Sequence, residues 1–221
     1  LEKKTINMET SFKRLIAYII DIAIVTIFVT ILSNITFINP KMDDYNKNYT
    51  EYQNVISDKK DSKINDEDYE KKIVDINYEL GRSNIINGTI TVLSLVLYFG
   101  VFQFFFKGQT IGKKILKLKI VNNIEKKELN IFNYLIRTVV LNNIVFRLLI
   151  LVSVYFLNKN IYYTFSTIIG MVESVIESII FVMVVLTSNN RGLHDILAHT
   201  KVIVVDDKPN IVTTKKVINC K

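Results

Sequence analysis

Five ionisable residues lie inside long apolar runs of the sequence, and their types and spacing could do chemistry. They are three acids and two bases: Asp21, Arg137, Arg147, Glu173 and Glu177. A charge at the centre of a membrane helix costs about 2.5 to 3.5 kcal/mol, so it is kept where it pairs or faces water. A carboxylate without an arginine partner could bind a proton or a cation. The pattern therefore indicates either ion pairs that hold a bundle together or an ion or proton pathway through Asp21, Glu173 and Glu177.

Depth along the apolar runs predicts which of these charges pair. Arg147 lies ten residues and Glu173 twelve residues from the ends of their runs at the short connection 157–160. At 1.5 Å per residue this is a difference in depth of about 3 Å, so the two side chains can meet. Glu177 follows Glu173 by one helical turn on the same face. Asp21 and Arg137 each lie six residues into their runs from the other side, which predicts a second pair. Arg137 and Arg147 are thus the expected ion-pair partners.

The elements that must position these charges are four apolar runs, each long enough to cross a hydrocarbon core of about 30 Å. They cover residues 15–37, 85–106, 131–156 and 161–186. A cleaved signal peptide is the competing interpretation of the first run, but the run is long, holds a carboxylate and lacks a small-residue cleavage pattern. The third and fourth runs are separated by four residues, which predicts an antiparallel hairpin. The fourth run has a marginal free energy of membrane insertion by itself, because burying its two glutamates costs about as much as burying its apolar residues gains.

Composition agrees with a membrane protein. The chain has 221 residues, a net charge of +7 and 49% hydrophobic residues, with a mean hydropathy of +0.26. So much apolar surface would leave large exposed patches on a small soluble domain, which argues against a nucleic-acid partner despite the basic charge. The one cysteine, Cys220, has no partner, so a disulfide scaffold is excluded.

Lysine and arginine are distributed unevenly between the two sides of the runs. Segments 1–14, 107–130 and 187–221 carry seventeen of them, whereas 38–84 and 157–160 carry nine. The positive-inside rule then places both termini in the cytoplasm and residues 38–84 outside as an inserted acidic loop. Its second half, from Asp66, has helical spacing, and its tyrosines fit either packing and interfacial anchoring, which we favour, or a ligand surface. Residues 206–221 form a cytoplasmic tail.

Two segments on the basic side predict a small sheet. Residues 116–121 and 200–205 alternate as strands do and can pair as a cytoplasmic β-pair. The fold class predicted is therefore an all-α membrane protein, a four-helix transmembrane bundle with a small cytoplasmic β-pair. Gly108 is expected to cap the second helix. The stretch from Gly108 to Lys113 is one residue short of a phosphate loop and lacks its Ser or Thr, so nucleotide hydrolysis is rejected.

A cluster near the end of the chain raises a metal site as one alternative. Asp195 lies between His194 and His199, but the three are crowded into one short segment in which their helical phases do not all align. We expect instead that Asp195 pairs with Arg14 or Arg191. No catalytic constellation, cofactor site or metal site is predicted, and the protein is not expected to be an enzyme.

Four blocks of the sequence resemble the RDD family of bacterial multi-pass membrane proteins. They are Phe12-Lys-Arg-Leu-Ile-Ala-Tyr-Ile-Ile-Asp21, Gly108-Gln-Thr-Ile-Gly-Lys-Lys-Ile-Leu116, Arg137 at the third helix, and Arg191-Gly-Leu-His-Asp-Ile-Leu-Ala198. The resemblance covers residues 12–205 and implies Arg14, Asp21 and Asp195 as signature residues. It departs at His199, where the family pattern has glycine. Cation/proton antiport is attributed to some members of the family.

Two functions are compatible with these observations. The first is transport of a monovalent cation or protons in the cytoplasmic membrane, through a pathway using Asp21, Glu173 and Glu177. The alternative is a non-transporting membrane scaffold or assembly partner, favoured by the marginal fourth helix and the acidic loop. Expected partners are the lipid bilayer and, for the scaffold, another membrane protein or a second copy of the chain.

Overall fold

The computed structural model describes residues 8–124, 127–187 and 190–205 of the chain. Within them the protein is mostly helical, with one small sheet. The predicted tail at 206–221 lies outside the described residues, and with it Cys220. Seven of the basic residues used for orientation also lie outside them: Lys3, Lys4, Lys126, Lys208, Lys215, Lys216 and Lys221.

Three helical segments are long and apolar enough to cross a bilayer. They are α1 (Met8–Ser33), the segment Ile85–Phe105 and α9 (Lys159–Leu186), with mean hydropathies of 2.7, 2.0 and 2.3. The second comprises α4 (Ile85–Leu95), a π-helical stretch (Val96–Phe102) and α5 (Gln103–Phe105). The core between α1 and this segment includes Val25, Leu95 and Phe99.

The third predicted run is not one helix. It forms α7 (Ile131–Leu141) and α8 (Ile144–Phe156), which are bent by 65° relative to each other. The bend lies at Asn143, which takes a left-handed conformation with φ of 51°. Asparagine tolerates this conformation better than most residues, because its short polar side chain can bond locally. The prediction of one continuous helix over 131–156 is therefore wrong at the bend. Helices α7 and α8 supply a fourth span only if the bent pair is counted as a single span.

The polar segment between the first two apolar helices is itself a helical hairpin. It consists of α2 (Met42–Lys60) and α3 (Asp66–Ser83), and α2 was not predicted. Asn65 caps α3 by accepting from the Asp68 amide at 2.8 Å. The hairpin has a small core of its own, Val55, Ile73 and Ile76, against which Tyr52 and Tyr69 pack. These two tyrosines therefore serve packing.

The opposite end of the bundle, which we call the sheet end, carries the short elements. They are α6 (Ile111–Ile115), β1 (Leu118–Asn122), α10 (Leu193–Leu197) and β2 (Thr200–Val204). The strands pair antiparallel, with Ile120 opposite Val202, which confirms the predicted β-pair. Gly108 has a φ of +89°, and its amide donates to the Gln103 carbonyl at 2.9 Å, closing the preceding helix as expected.

Candidate functional site

The sheet end contains two buried carboxylates, each surrounded by donors. Asp21 on α1 and Asp195 on α10 are both 0% exposed. Burial of a charge is costly unless it is paired and hydrogen-bonded, so the partners of each carboxylate define what it can do. The two sets of partners are called the Asp21 cluster and the Asp195 cluster.

The Asp21 cluster joins α1 to the π-helical stretch and to α6. Asp21 Oδ1 accepts from the Tyr98 hydroxyl and from the Gly112 amide, both at 2.8 Å. Asp21 Oδ2 accepts from the Thr110 hydroxyl at 2.5 Å, and Lys113 Nζ lies 3.7 Å away. Asp21 is thus a saturated carboxylate that fixes α6 against α1.

Local rules explain why the 108–113 stretch folds this way. The Thr110 side chain caps α6 by accepting from the Lys113 amide, at 3.4 Å. Gly112 lies where α6 meets α1, and a Cβ there would lie 2.3 Å from the Ala17 carbonyl oxygen. Only glycine fits so close an approach between two backbones.

Lys113 is the cation of this cluster. It is 7% exposed, and its Nζ lies 3.2 Å from the Thr110 hydroxyl. Burial lowers the pKa of Lys113 to about 7, against the opposing effect of the Asp21 charge. Its ammonium can therefore lose and regain a proton near neutral pH.

The Asp195 cluster joins α10 to α1 and α7. Arg14 Nη2 donates to Asp195 Oδ2 at 2.5 Å, and Arg137 Nη1 donates to Asp195 Oδ1. The Gly192 amide and the Thr200 hydroxyl add bonds to the same carboxylate, each 3.2 Å long. One buried carboxylate thus holds two buried arginines.

These contacts decide the predicted pairings at this end. The Arg14–Asp195 pair is confirmed. The predicted Asp21–Arg137 pair is wrong, because Arg137 binds Asp195 while Asp21 faces α6. Depth along a helix gives the axial position of a residue but not the neighbour that its face meets.

His194 lies beside the Asp195 cluster as a neutral side chain. Its Nε2 is 3.3 Å from Asp195 Oδ2 and 3.5 Å from Arg14 Nη2. Burial, followed by the charges of Arg137, Arg14 and Lys113, lowers the pKa of His194 well below its usual range. Its buried Nδ1 has no hydrogen-bond partner among the described residues. No group of three His, Cys, Asp or Glu in the described part of the chain could hold a metal ion.

The remaining charges lie at the bend between α7 and α8. Arg147 Nη2 lies 3.4 Å from Glu173 Oε1, which confirms this predicted contact. Arg147 Nε also donates to the Asn142 carbonyl at 3.0 Å, at the end of α7. Glu177 accepts from the Asn143 side chain at 3.2 Å and has no ion pair within the described residues. Of the three predicted acids, Glu173 thus lies beside an arginine, Asp21 lies beside Lys113, and Glu177 has no cation within ion-pair distance among the described residues.

A cavity of about 470 Å³ connects the bend to the sheet end between α1 and α9. Its polar lining includes Glu177 and Tyr18 near the bend, and Arg14, Lys113, Arg137 and His194 at the sheet end. Most of the other lining residues are apolar and come from α1 and α9. Asp21 is not among the lining residues, whereas Glu177 is.

Sequence reasoning missed several members of these clusters. Tyr98, Thr110, Lys113 and His194 were not proposed as site residues, although three of them lie in or beside the stretches used for the family resemblance. The sequence signal was in the stretch from Gly108 to Lys113, which follows the second apolar run. In this stretch two glycines and one small polar residue, Thr110, precede a lysine. His199, where the family pattern has glycine, has a φ of 53°, a conformation that glycine adopts without strain.

Comparison with known proteins gives one finding. The model of the RDD family matches residues 9–199. No curated protein matches the chain, and no solved structure does. The matched region contains the bend, both clusters apart from Thr200, and the cavity lining apart from Met8.

Proposed function

The chain belongs to the RDD family, and from this we propose that it is a multi-pass protein of the cytoplasmic membrane that carries protons across the bilayer. Its apolar helices support insertion, because three of them, or four with the bent pair, have the length and hydropathy of a span. The distribution of lysine and arginine supports an orientation with the sheet end and both termini in the cytoplasm.

The observation that carries the proposal is the position of Glu177. This carboxylate lines the cavity, and its hydrogen bond comes from the neutral Asn143 side chain. A carboxylate in a span is expensive to keep without a cation, so such a residue marks an ion or proton path. Glu177 therefore serves as the proton carrier.

The bend gives this carboxylate a polar setting inside an apolar bundle. The Tyr18 hydroxyl donates to the Asn142 side chain at 3.2 Å, joining α1 to the end of α7. Broken helices in membrane transporters place backbone groups beside the transported ion near mid-membrane, where they line a cavity. The break between α7 and α8 likewise places a polar group, the Asn143 side chain, beside the Glu177 carboxylate that lines the cavity. Arg147 there lies 3.4 Å from Glu173, whose Oε1 accepts no hydrogen bond among the described residues, and Arg147 forms no ion pair with Glu177.

The inner end of the cavity favours a proton over a metal cation. Arg14, Lys113 and Arg137 line it, and neither Asp21 nor Asp195 is among its lining residues. The lack of a carboxylate among the described lining residues at this end is a barrier to Na⁺ or K⁺, because hard cations need oxygen ligands. A proton avoids this barrier by moving onto the neutral form of Lys113, whose pKa near 7 suits exchange with the cytoplasm. Asp21 acts as the fixed counter-charge of Lys113 rather than as a carrier. A monovalent cation exchanged against the proton is the family-based extension of this proposal.

The test measures proton flux in proteoliposomes under an imposed pH gradient, followed with an entrapped pH dye. Glu177→Gln removes the carrier and is expected to reduce flux at least tenfold. Asp75→Asn is the matched control, because Asp75 is exposed on α3 of the hairpin and pairs with Lys159 at the start of α9. Flux in Glu177→Gln equal to that in Asp75→Asn would overturn the proposal. Adding Na⁺ or K⁺ gradients then tests the exchanged cation.

A scaffold without transport is the second candidate, and the exposure of α9 favours it. Of the 28 residues of α9, two are buried, Tyr162 and Ile180, and a Cβ at Gly170 would meet no atom within 4 Å. An apolar helix with so little packing has room for another membrane protein or a second copy of the chain. Absence of proton flux in vesicles, together with co-purification of a stoichiometric membrane protein, would favour this function over transport.

A further inference from the structure

We propose that the sheet end of the cavity binds the headgroup phosphate of a phospholipid with a net negative charge, with an acyl chain between α1 and α9. This goes beyond proton transport, since it assigns a ligand to the basic end of the cavity. It rests on an excess of buried positive charge, on hydrogen-bond donors of Arg14 and Arg137 that Asp195 does not use, and on the apolar residues of α1 and α9 that line the cavity.

The first step is the balance of buried charge. Three cations line this end, Arg14, Lys113 and Arg137, and each is less than one tenth exposed. The two carboxylates that face them, Asp21 and Asp195, are fully buried. The described residues of both clusters therefore carry one positive charge in excess when Lys113 is protonated. A buried charge is retained where something compensates it, and one phosphate monoanion does so.

The second step is the supply of hydrogen-bond donors. The bonds to Asp195 use Nη2 of Arg14 and Nη1 of Arg137. Each guanidinium has five N–H groups, so both arginines keep donors for a ligand in the cavity that they line. Because Asp195 fixes both guanidinium groups, these donors are held in place before a ligand binds. Arginine is well suited to phosphate because its planar group can bond two oxygens at once.

The third step is the apolar part of the cavity, which selects a lipid over a free anion. Phe12 and Phe181 line it and are 64% and 51% exposed. They belong to α1 and α9, two helices with the hydropathy of membrane spans. In a bilayer these exposed rings meet acyl chains, so a lipid can place its phosphate among the arginines and keep its chain in contact with the walls. Inorganic phosphate would leave those walls without a partner.

The fourth step is the place of this end in the membrane. Under the proposed orientation the sheet end lies at the cytoplasmic face, where acidic phospholipids supply the negative charge. Ser11 on α1 donates to the Val184 carbonyl on α9 at 3.0 Å, joining the two helices beside the cavity. The lipid therefore contacts both helices and links them further.

The experiment measures lipid retention by native mass spectrometry on the purified full chain. Protein in zwitterionic detergent receives phosphatidylglycerol, phosphatidylcholine or inorganic phosphate at equal concentrations. We expect phosphatidylglycerol to bind at least tenfold more tightly than phosphatidylcholine, with little competition from inorganic phosphate. Equal binding of the two lipids overturns the proposal, and displacement by equimolar phosphate overturns the choice of a lipid.

Two pairs of variants place the binding in this cavity. Val185→Trp fills it, whereas Val182→Trp makes the same change on the exposed face of α9, outside the lining. Lys113→Gln removes a lining charge, whereas Lys114→Gln removes its exposed neighbour. The first member of each pair should weaken phosphatidylglycerol binding at least fivefold relative to its control. Equal binding within the Val185 and Val182 pair contradicts the site. Because binding is measured without flux, the result is independent of proton transport.

Discussion

Asp195→Asn is the sharpest test of how the bundle is held together. The aspartate accepts from Arg14 and Arg137 through different oxygens and also from Gly192 and Thr200. Asparagine keeps the shape but removes the charge and turns an NH₂ group toward a guanidinium. Removing one partner of a buried ion pair costs about 3 to 5 kcal/mol. We expect at least this loss, because two buried arginines lose their counter-charge together.

The loss is measured as the free energy of unfolding in mixed micelles titrated with denaturing detergent and followed by circular dichroism. Asp75→Asn is the matched control, and it should change the free energy of unfolding little, because both partners of its ion pair with Lys159 are about half exposed or more. Arg14→Gln combined with Asp195→Asn should lose less than the sum of the single changes, since the two residues share one interaction. The reasoning is refuted if Asp195→Asn loses no more stability than Asp75→Asn.

Three further predictions concern single positions. Gly112→Ala should destabilise the protein by several kcal/mol, because the new Cβ meets the Ala17 carbonyl at 2.3 Å, whereas Gly170→Ala meets nothing; equal thermal midpoints for the two variants would contradict this close approach. His199→Gly should stabilise the protein by about 0.5 to 1 kcal/mol, because relief of a positive φ of 53° gains about 1 to 2 kcal/mol and the greater freedom of glycine in the unfolded chain offsets about 0.5 to 1 kcal/mol of this. A lower midpoint than that of the parent would show that the ring has a role of its own. Stability should rise between about pH 7 and pH 10, because the unfolded chain holds the Lys113 proton more tightly than the folded one does; a Lys113→Met variant with an unchanged pH slope would rule out this residue as the cause.

The family pattern acquires a physical meaning in the structure. Arg14 and Asp195 form an ion pair across 181 positions of sequence, and Asp21 joins α1 to the loop that follows the second apolar helix. Gly112 is required where two backbones touch, and Thr110 both caps a helix and donates to Asp21. The signature residues therefore assemble the sheet end, and the carboxylate proposed to carry protons, Glu177, lies outside the signature.

The sequence by itself determined three of the four apolar helices, the β-pair, the helix that begins at Asp66 and the Arg147–Glu173 contact. Each depends on hydrophobic periodicity or on a short loop between antiparallel neighbours, both of which are readable along the chain. The second helix of the hairpin, α2, was not predicted, because it is polar on most faces and contributes one buried residue, Val55.

Tertiary structure alone decided which face of each helix meets which neighbour. Asp21 and Arg137 have matching depths, yet one faces α6 and the other α10, because rotation about the helix axis is set by packing with distant elements. The bend at Asn143 likewise follows from a left-handed residue that hydrophobic periodicity does not reveal. The cavity and the Glu177 carboxylate beside it result from these two facts. The sequence could state only that a carboxylate without an arginine partner could bind a proton or a cation, and the packed helices identified Glu177 as the acid with neither an arginine nor a lysine partner among the described residues.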